Sequence, residues 1–206
     1  MQRAMADGLV RGECRSLQWC WWLRRLAVSV ALVVCACGVV QAAKLKVETR
    51  YLRLTFNSPD DLSRFHKNID FDSGQAAGGL FAKQSAEDDQ AHLIAKLDAL
   101  YEKVQRILDM RKPNPEKVRV QVHSDKEELA ATFQRVFKRP GFARAWYVYE
   151  YNTVYMNVAD VHEGMLAHEL AHAIIDHFMS VRPPRATAEI LATYVDKHLF
   201  EEVKTY

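Results

Sequence analysis

Apolar and polar positions follow regular periods along most of the chain beyond residue 43. Alternation over 47–56 (VETRYLRLTF) is typical of a half-buried strand, and 118–122 (VRVQV) predicts another strand. The aromatic segment 145–158 (AWYVYEYNTVYMNV) predicts two further strands that turn near Asn152. The chain is therefore expected to contain a small sheet.

Helical periods fill the segments between and after these strands. A short helix is predicted over 58–69, and 85–110 predicts a long helix with a leucine-rich apolar face. Another helix is expected over 125–137, and two C-terminal helices are separated by the pair Pro183-Pro184. Strands and helices mixed in this order predict the α+β class.

The N-terminal segment, residues 1–42, is typical of an export signal. Arg24 and Arg25 precede an apolar run over 26–40, which has the length of a signal-peptide core and is short for a membrane-spanning helix. We expect cleavage after Ala42 and a mature protein in the periplasm or outside the cell. Two alternatives stay open: an uncleaved segment would anchor the domain in the membrane, and Cys37 would carry a lipid if the VCAC sequence is a lipoprotein signal.

Charge and cysteine content exclude several classes of function for the remaining single domain, residues 43–206. The chain has 28 basic and 26 acidic residues, and removing the five arginines and two acids of the N-terminal segment leaves 23 and 24. A nearly neutral domain has no basic surface for nucleic acid or for an anionic membrane. All four cysteines lie in the N-terminal segment, so neither disulfides nor cysteine ligands are expected in the domain.

The sequence HELAH at 168–172 carries the candidate chemistry. A helix advances about 100° per residue, which places His172 about 40° round from His168, so both imidazoles project from one face, as chelation of one metal ion requires. Glu169 lies beside them, where a carboxylate suits a general base acting on a water that the metal activates. The opposite face is expected to be buried, because it carries Leu166, Leu170, Ile174 and Phe178.

Two histidines leave a catalytic zinc site one protein ligand short, since such sites usually have three. The candidate is Glu189, because a Pro-Pro turn and a returning helix would bring it back near His172. His177 is excluded as a ligand, since it projects about 180° away from His168.

With these residues the sequence resembles the zincin metallopeptidases and, among them, the gluzincins. The matching positions are His168, Glu169 and His172 in the HExxH helix and Glu189 in the next helix, and the secure match covers about residues 145–200. The resemblance implies a zincin-like α+β fold, a small mixed sheet with the aromatic strand at its edge, and one Zn²⁺ ion. It also implies hydrolysis of a peptide or protein substrate that aligns on the edge strand, with Glu169 as general base.

Two features depart from that family. Thr193 stands four residues after Glu189, where thermolysin-like members often carry an aspartate that orients a histidine ligand, so Asp196 is considered as a substitute. The chain also ends soon after the glutamate helix, which suggests a minimal and shallow cleft. A noncatalytic zincin-like binding or assembly module of the cell envelope is therefore kept as the alternative function.

The remaining polar candidates are expected to have ordinary roles. Asp176 is interpreted as a solvated charge, with a place behind a histidine ligand as the alternative. The tyrosines of the aromatic segment are expected to form cross-strand pairs, and nothing in the sequence selects one of them to stabilise an oxyanion. No partner spacing marks His66, His92, His123 or His198 as a ligand.

Overall fold

The structure, a computed structural model, describes residues 44–71 and 86–201. The predicted export signal lies outside the described residues. Among the residues described, no helix is both long and apolar enough to cross a membrane.

Strands and helices alternate irregularly along the described chain, as expected for the α+β class. The 3₁₀ turn between β4 and β5 spans Tyr149–Tyr151. The strands are β1 Leu45–Glu48, β2 Leu52–Phe56, β3 Val118–His123, β4 Ala145–Val148 and β5 Thr153–Asn157, and the helices are α1 Pro59–Asn68, α2 Ala86–Leu108, α3 Lys126–Phe137, α4 Glu163–Phe178 and α5 Arg185–His198.

The five strands form one mixed sheet in the order β1-β2-β3-β5-β4. Strands β2, β3 and β5 run parallel, whereas β1 and β4 pair antiparallel with their single neighbours at the two edges. Strand β4 contains Trp146 and Tyr147, so an aromatic strand stands at one edge of the sheet. The structure thus confirms an α+β domain with a small mixed sheet.

The prediction of one strand over 47–56 is wrong, because a tight turn divides this segment into β1 and β2. The Thr49 hydroxyl oxygen accepts hydrogen bonds from the backbone N–H groups of Tyr51 (3.2 Å) and Leu52 (3.0 Å). The Thr49 N–H also donates to the Leu52 carbonyl at 2.9 Å. A threonine side chain that binds backbone two and three residues ahead favours a turn over a continuous strand. The predicted alternation survives in β2, where Leu52, Leu54 and Phe56 are buried.

Side-chain caps fix the starts of two helices at the predicted places. The Ser58 hydroxyl accepts the Asp61 N–H at 3.1 Å at the start of α1. The Asp125 carboxylate accepts the Glu128 N–H at 2.8 Å at the start of α3. Both contacts satisfy backbone donors that have no partner inside the helix, which explains why these residues begin helices.

The two faces of the sheet carry separate apolar clusters. Trp146 and Val148 of β4 pack with Tyr155 of β5 and Leu129 of α3 on one face. Helices α2, α4 and α5 cover the other face and form the main core. The prediction that the apolar stripe of α4 is buried is wrong for Phe178, which is the last residue of the helix and is 45% exposed. The fully buried residues of the main core include Leu54, Val120, Val154, Leu97, Leu100, Leu166, Leu170 and Ala192.

Candidate metal centre

Helices α4 and α5 form a pair that brings the candidate ligands together. Helix α4 begins after His162, whose Nδ1 atom accepts the Met165 N–H at 3.2 Å. The chain leaves α4 after Phe178, and Pro184 precedes the first residue of α5. A proline in this position supplies no N–H that a helix would use, so it ends the linker and starts the returning helix.

The three predicted ligands meet between these helices. The Nε2 atoms of His168 and His172 each lie 3.6 Å from Oε2 of Glu189. One ligand atom from each of the three residues lies within 4.8 Å of the others. His168, His172 and Glu189 are called the ligand cluster below. Glu189, which lies on the helix after the HELAH sequence, therefore reaches the face that carries both imidazoles.

This donor set fits a divalent transition metal. Ligand bonds of about 2.0 to 2.1 Å in a tetrahedral zinc site place neighbouring ligand atoms about 3.4 Å apart. The two 3.6 Å separations from Glu189 match that spacing closely. Two imidazoles and one carboxylate are common zinc donors, although the same set also binds other metals of this class.

Asp196 supports one of the histidines from behind. Its Oδ2 atom lies 2.9 Å from Nδ1 of His168, which leaves Nε2 of the ring directed toward Glu189. Asp196 follows Glu189 by seven residues, or about two helical turns, so both carboxylates project from one face of α5. Contacts of this kind fix the orientation and tautomer of a metal-binding imidazole. Asp196 thus lies in the supporting position behind His168 that was predicted for it as a substitute for an aspartate at position 193.

Burial sets the protonation of two groups in the centre. Glu169 is 8% exposed, and this burial raises its pKa to about 7, while the nearby His168 opposes the shift. Burial also lowers the pKa of His172, and His168 beside it acts in the same direction. A neutral imidazole is the form that binds a metal. A carboxyl group with a pKa near 7 can both accept and release a proton near neutral pH.

Two cavities meet at His168 and Glu169. The larger one, about 680 Å³, runs along the edge strand β4 and is the cavity called the groove below. A second cavity of about 420 Å³ lies on the other side and is lined by residues that include Met165, Asp196 and Phe200. The residues of the groove come from α3 and the loop after it, β4, α4, the linker to α5 and α5, and include Phe133, Phe137, Arg139, Trp146, Tyr147, Tyr149, His172, Asp176, Arg182, Arg185 and Glu189.

The expectation that the tyrosines form cross-strand pairs is correct for Tyr147 and Tyr155 and wrong for Tyr149 and Tyr151. Tyr155 of β5 stands opposite Trp146 of β4, and their rings stack with centroids 5.3 Å apart. Tyr147 faces Val154 across the strands, and the turn Tyr149–Tyr151 lies outside both strands. The turn forms because Asn152 adopts a left-handed conformation (φ 43°), which asparagine tolerates better than most residues.

A chain of contacts ties the linker after α4 to the turn after β4. The interpretation of Asp176 as a solvated charge is wrong: the residue is 7% exposed and forms an ion pair with Nε of Arg182 at 3.0 Å. The Arg182 guanidinium lies 4.7 Å from the ring centre of Tyr149, which stacks on His177. The Nε2 atom of His177 lies 3.0 Å from the Tyr147 hydroxyl. His177 therefore belongs to this contact chain and stays out of the ligand cluster, as the helical geometry predicted.

No sequence motif marked Arg185, which the structure places next to the ligand cluster. Its Nε atom lies 3.4 Å from Oε1 of Glu189. The spacing of four residues between Arg185 and Glu189 was the available signal, because such pairs are neighbours on a helix.

Comparison with known proteins gives no relative for this arrangement. No protein-family model matches the chain, and no match is found among curated proteins or among solved structures. The conclusions about function therefore depend on the geometry of the centre and the groove.

Proposed function

We propose that this protein is a zinc metallopeptidase that hydrolyses peptide bonds in an extended peptide or protein substrate. His168, His172 and Glu189 would hold one Zn²⁺ ion, and Glu169 would act as general base. The observation that carries the proposal is the convergence of these three ligands within 4.8 Å of one another, from two helices, where two cavities meet. Glu169 lines both cavities beside them.

The bound ion would act as a Lewis acid and would lower the pKa of water to about 7. Glu169 would accept a proton from the attacking water as the new C–O bond forms and the carbonyl π electrons move onto oxygen. It would then deliver that proton to the amide nitrogen as the C–N bond breaks, which yields a carboxylic acid and an amine. Asp196 would hold the His168 ring in place throughout.

The groove suits a substrate in extended conformation. Strand β4 pairs with β5 on one side, and in the described chain no strand pairs with its other side. An edge strand offers free backbone donors and acceptors to which an extended peptide can add. Because the groove runs along β4 to Glu169, such a peptide would bring a backbone carbonyl to the ligand cluster.

The test is incubation of the purified domain with a mixed peptide library and Zn²⁺, followed by mass spectrometry of the products. The proposal predicts new peptide termini that disappear when a chelator is added and return when Zn²⁺ is restored. A protein that binds zinc but cleaves no peptide or unfolded protein would favour the alternative, a noncatalytic module of the cell envelope.

We also propose export from the cytoplasm, because residues 1–42 have the charge and apolar pattern of a signal segment. N-terminal sequencing of the mature protein from its native cell is expected to begin at Ala43. A lipid-modified N-terminus at Cys37 would replace this assignment with a lipoprotein, and an intact N-terminus would favour the uncleaved segment as an anchor.

A further inference from the structure

We propose that Arg185 is a catalytic residue that binds the carbonyl oxygen of the scissile bond and stabilises its developing negative charge. This inference rests on the proposed peptidase function and supplies a component that the ligand cluster and Glu169 lack. Peptide hydrolysis places negative charge on the carbonyl oxygen as water adds to the carbon. Donors aimed at that oxygen usually contribute strongly to the rate.

The position of Arg185 brings a cation to the border of the ligand cluster. Its Nε atom lies 3.4 Å from one oxygen of Glu189, and the other oxygen of that carboxylate lies 3.6 Å from both imidazoles. The guanidinium is therefore separated from the two histidines by a single carboxylate. The Arg185 side chain is 91% exposed and lines the groove, so the fold leaves it free to turn toward a bound peptide.

Other donors along this part of the groove are already engaged. The Tyr147 hydroxyl contacts His177 at 3.0 Å. The Arg182 guanidinium is held by Asp176 at 3.0 Å and lies over the ring of Tyr149. These contacts engage the Tyr147 hydroxyl and the Arg182 guanidinium, whereas the Arg185 guanidinium contacts Glu189 of the ligand cluster.

Helix stability does not account for Arg185. It is the first residue of α5, where the helix dipole disfavours a positive charge. Its partner Glu189 lies four residues further on, and this order of charges is the less favourable one for a pair on a helix. Exposed pairs of this kind contribute little to folding. A role in the reaction explains a cation at this position better than a role in folding.

The chemistry of arginine suits this role. A guanidinium remains charged at all relevant pH values and presents several N–H donors in one plane. It can therefore keep its contact with Glu189 through Nε and donate from a terminal nitrogen to the carbonyl oxygen. The hydrogen bond becomes charge-assisted as the oxygen becomes anionic, so it strengthens in the transition state.

The test compares Arg185→Gln and Arg185→Lys with the matched control Arg53→Gln, which removes an exposed arginine of β2 that lies outside the groove. At saturating Zn²⁺ and substrate, Arg185→Gln is expected to lower kcat by about a hundredfold. Arg185→Lys should recover part of that loss, and KM should change by less than about threefold because the contact forms mainly in the transition state. The control should keep the wild-type kcat.

Two binding measurements separate this role from a structural one. Arg185→Gln should weaken binding of a phosphinic peptide, whose tetrahedral anionic group resembles the transition state, by a factor close to the loss in kcat. Its affinity for Zn²⁺, measured by competition with a chelating dye, should stay within about threefold of wild type, since the ligand set is intact.

Several results would overturn the proposal. Wild-type kcat in Arg185→Gln would do so directly. Activity that returns when Zn²⁺ is raised would show that Arg185 only positions Glu189. Equal losses of binding affinity for the substrate and for the phosphinic peptide, with kcat unchanged, would show ordinary substrate binding. An inactive wild-type protein would instead refute the proposed function, and the role of Arg185 with it.

Discussion

Two histidine–carboxylate clusters in this domain have similar composition but different environments. The ligand cluster joins His168 and His172 of α4 to Glu189 of α5. The other cluster joins His123 of β3 to Glu128 of α3, with Nδ1 and Oε1 3.2 Å apart. Among the described residues, only the first brings three metal-binding side chains together.

The carboxylate of the second cluster is occupied by donors from the protein itself. Oε2 of Glu128 accepts from the Asn57 amide at 2.7 Å and from the Ser124 backbone N–H at 3.2 Å. His123 is 5% exposed, and burial lowers its pKa despite the opposing contact with Glu128. This cluster joins β3 to α3, and among the residues that the structure describes no third metal-binding side chain lies with it.

The difference shows that residue type alone does not make a candidate metal centre. Donors must converge with unused lone pairs next to a cavity, and helical spacing achieves this for the first cluster. The two glutamates also differ in protonation. Burial raises the pKa of Glu169 to about 7. Burial also acts to raise the pKa of Glu128, but the hydrogen bonds from Asn57 and Ser124 outweigh it and lower the pKa below its ordinary value.

The largest expected effect is on metal binding. His172→Gln should reduce the affinity for Zn²⁺ by more than about a hundredfold, because contacts outside the ligand set alone are worth about 10- to 100-fold. His123→Gln should leave the affinity unchanged. Calorimetric titration of metal-free protein with Zn²⁺ measures both variants, and equal affinities for the two would remove the distinction between the clusters.

The next effect concerns stability of the metal-free protein. The folded state holds the Glu169 proton more tightly than the unfolded state, with a pKa of about 7 against 4.5. Its contribution to stability is therefore present below about pH 4.5 and is lost as pH rises through about 7. Glu169→Gln should abolish the fall in stability between pH 4.5 and pH 8. It should therefore raise the free energy of unfolding at pH 8 by about 3 kcal/mol, with no comparable gain at pH 4.

Glu128→Gln is the matched control for that measurement. Its lowered folded pKa gives stability that is present above the unfolded pKa and is lost as pH falls through the folded pKa. Urea unfolding at pH 8 should therefore show that Glu128→Gln destabilises the protein while Glu169→Gln stabilises it. Changes of the same sign would contradict the contrast between the two glutamates.

A smaller effect is expected from the support behind His168. Asp196→Asn should weaken Zn²⁺ binding by about 10- to 100-fold, because the amide is a poorer acceptor for the imidazole N–H. Thr193→Val is the control, since Thr193 is the position where the resemblance to thermolysin-like proteins would place the supporting aspartate. Competition with a chelating dye gives both affinities, and a larger loss in Thr193→Val would transfer the supporting role to that residue.

The sequence was most informative where local chemistry decides the structure. The caps at Ser58 and Asp125 and the helical spacing of His168 and His172 depend on neighbours within one turn, and the structure agrees at each place. Glu189 was also predictable, because the linker after α4 is short and contains a proline pair that forces a return.

Contacts between separate segments of the chain were harder to predict from the sequence. The burial of Asp176 depends on Arg182 and on the packing of α4 against the sheet, which no local pattern reveals. The turn at Thr49 was hidden because the residues around it have strand propensity, and a side-chain hydrogen bond decided the conformation. The position of Arg185 in the groove was likewise not predictable from local sequence, because it depends on how α5 packs against α4.

The most direct test of the central claim is a comparison of zinc content and peptide hydrolysis in the same preparations of wild type and Glu169→Gln. The amide is nearly isosteric with the carboxylic acid but cannot accept the proton. One Zn²⁺ per chain is expected in both proteins, with hydrolysis slower by at least about a hundredfold in the variant, since general-base assistance is worth about 10²–10⁴. Hydrolysis at the wild-type rate by zinc-loaded Glu169→Gln would contradict the proposed role of Glu169 as general base.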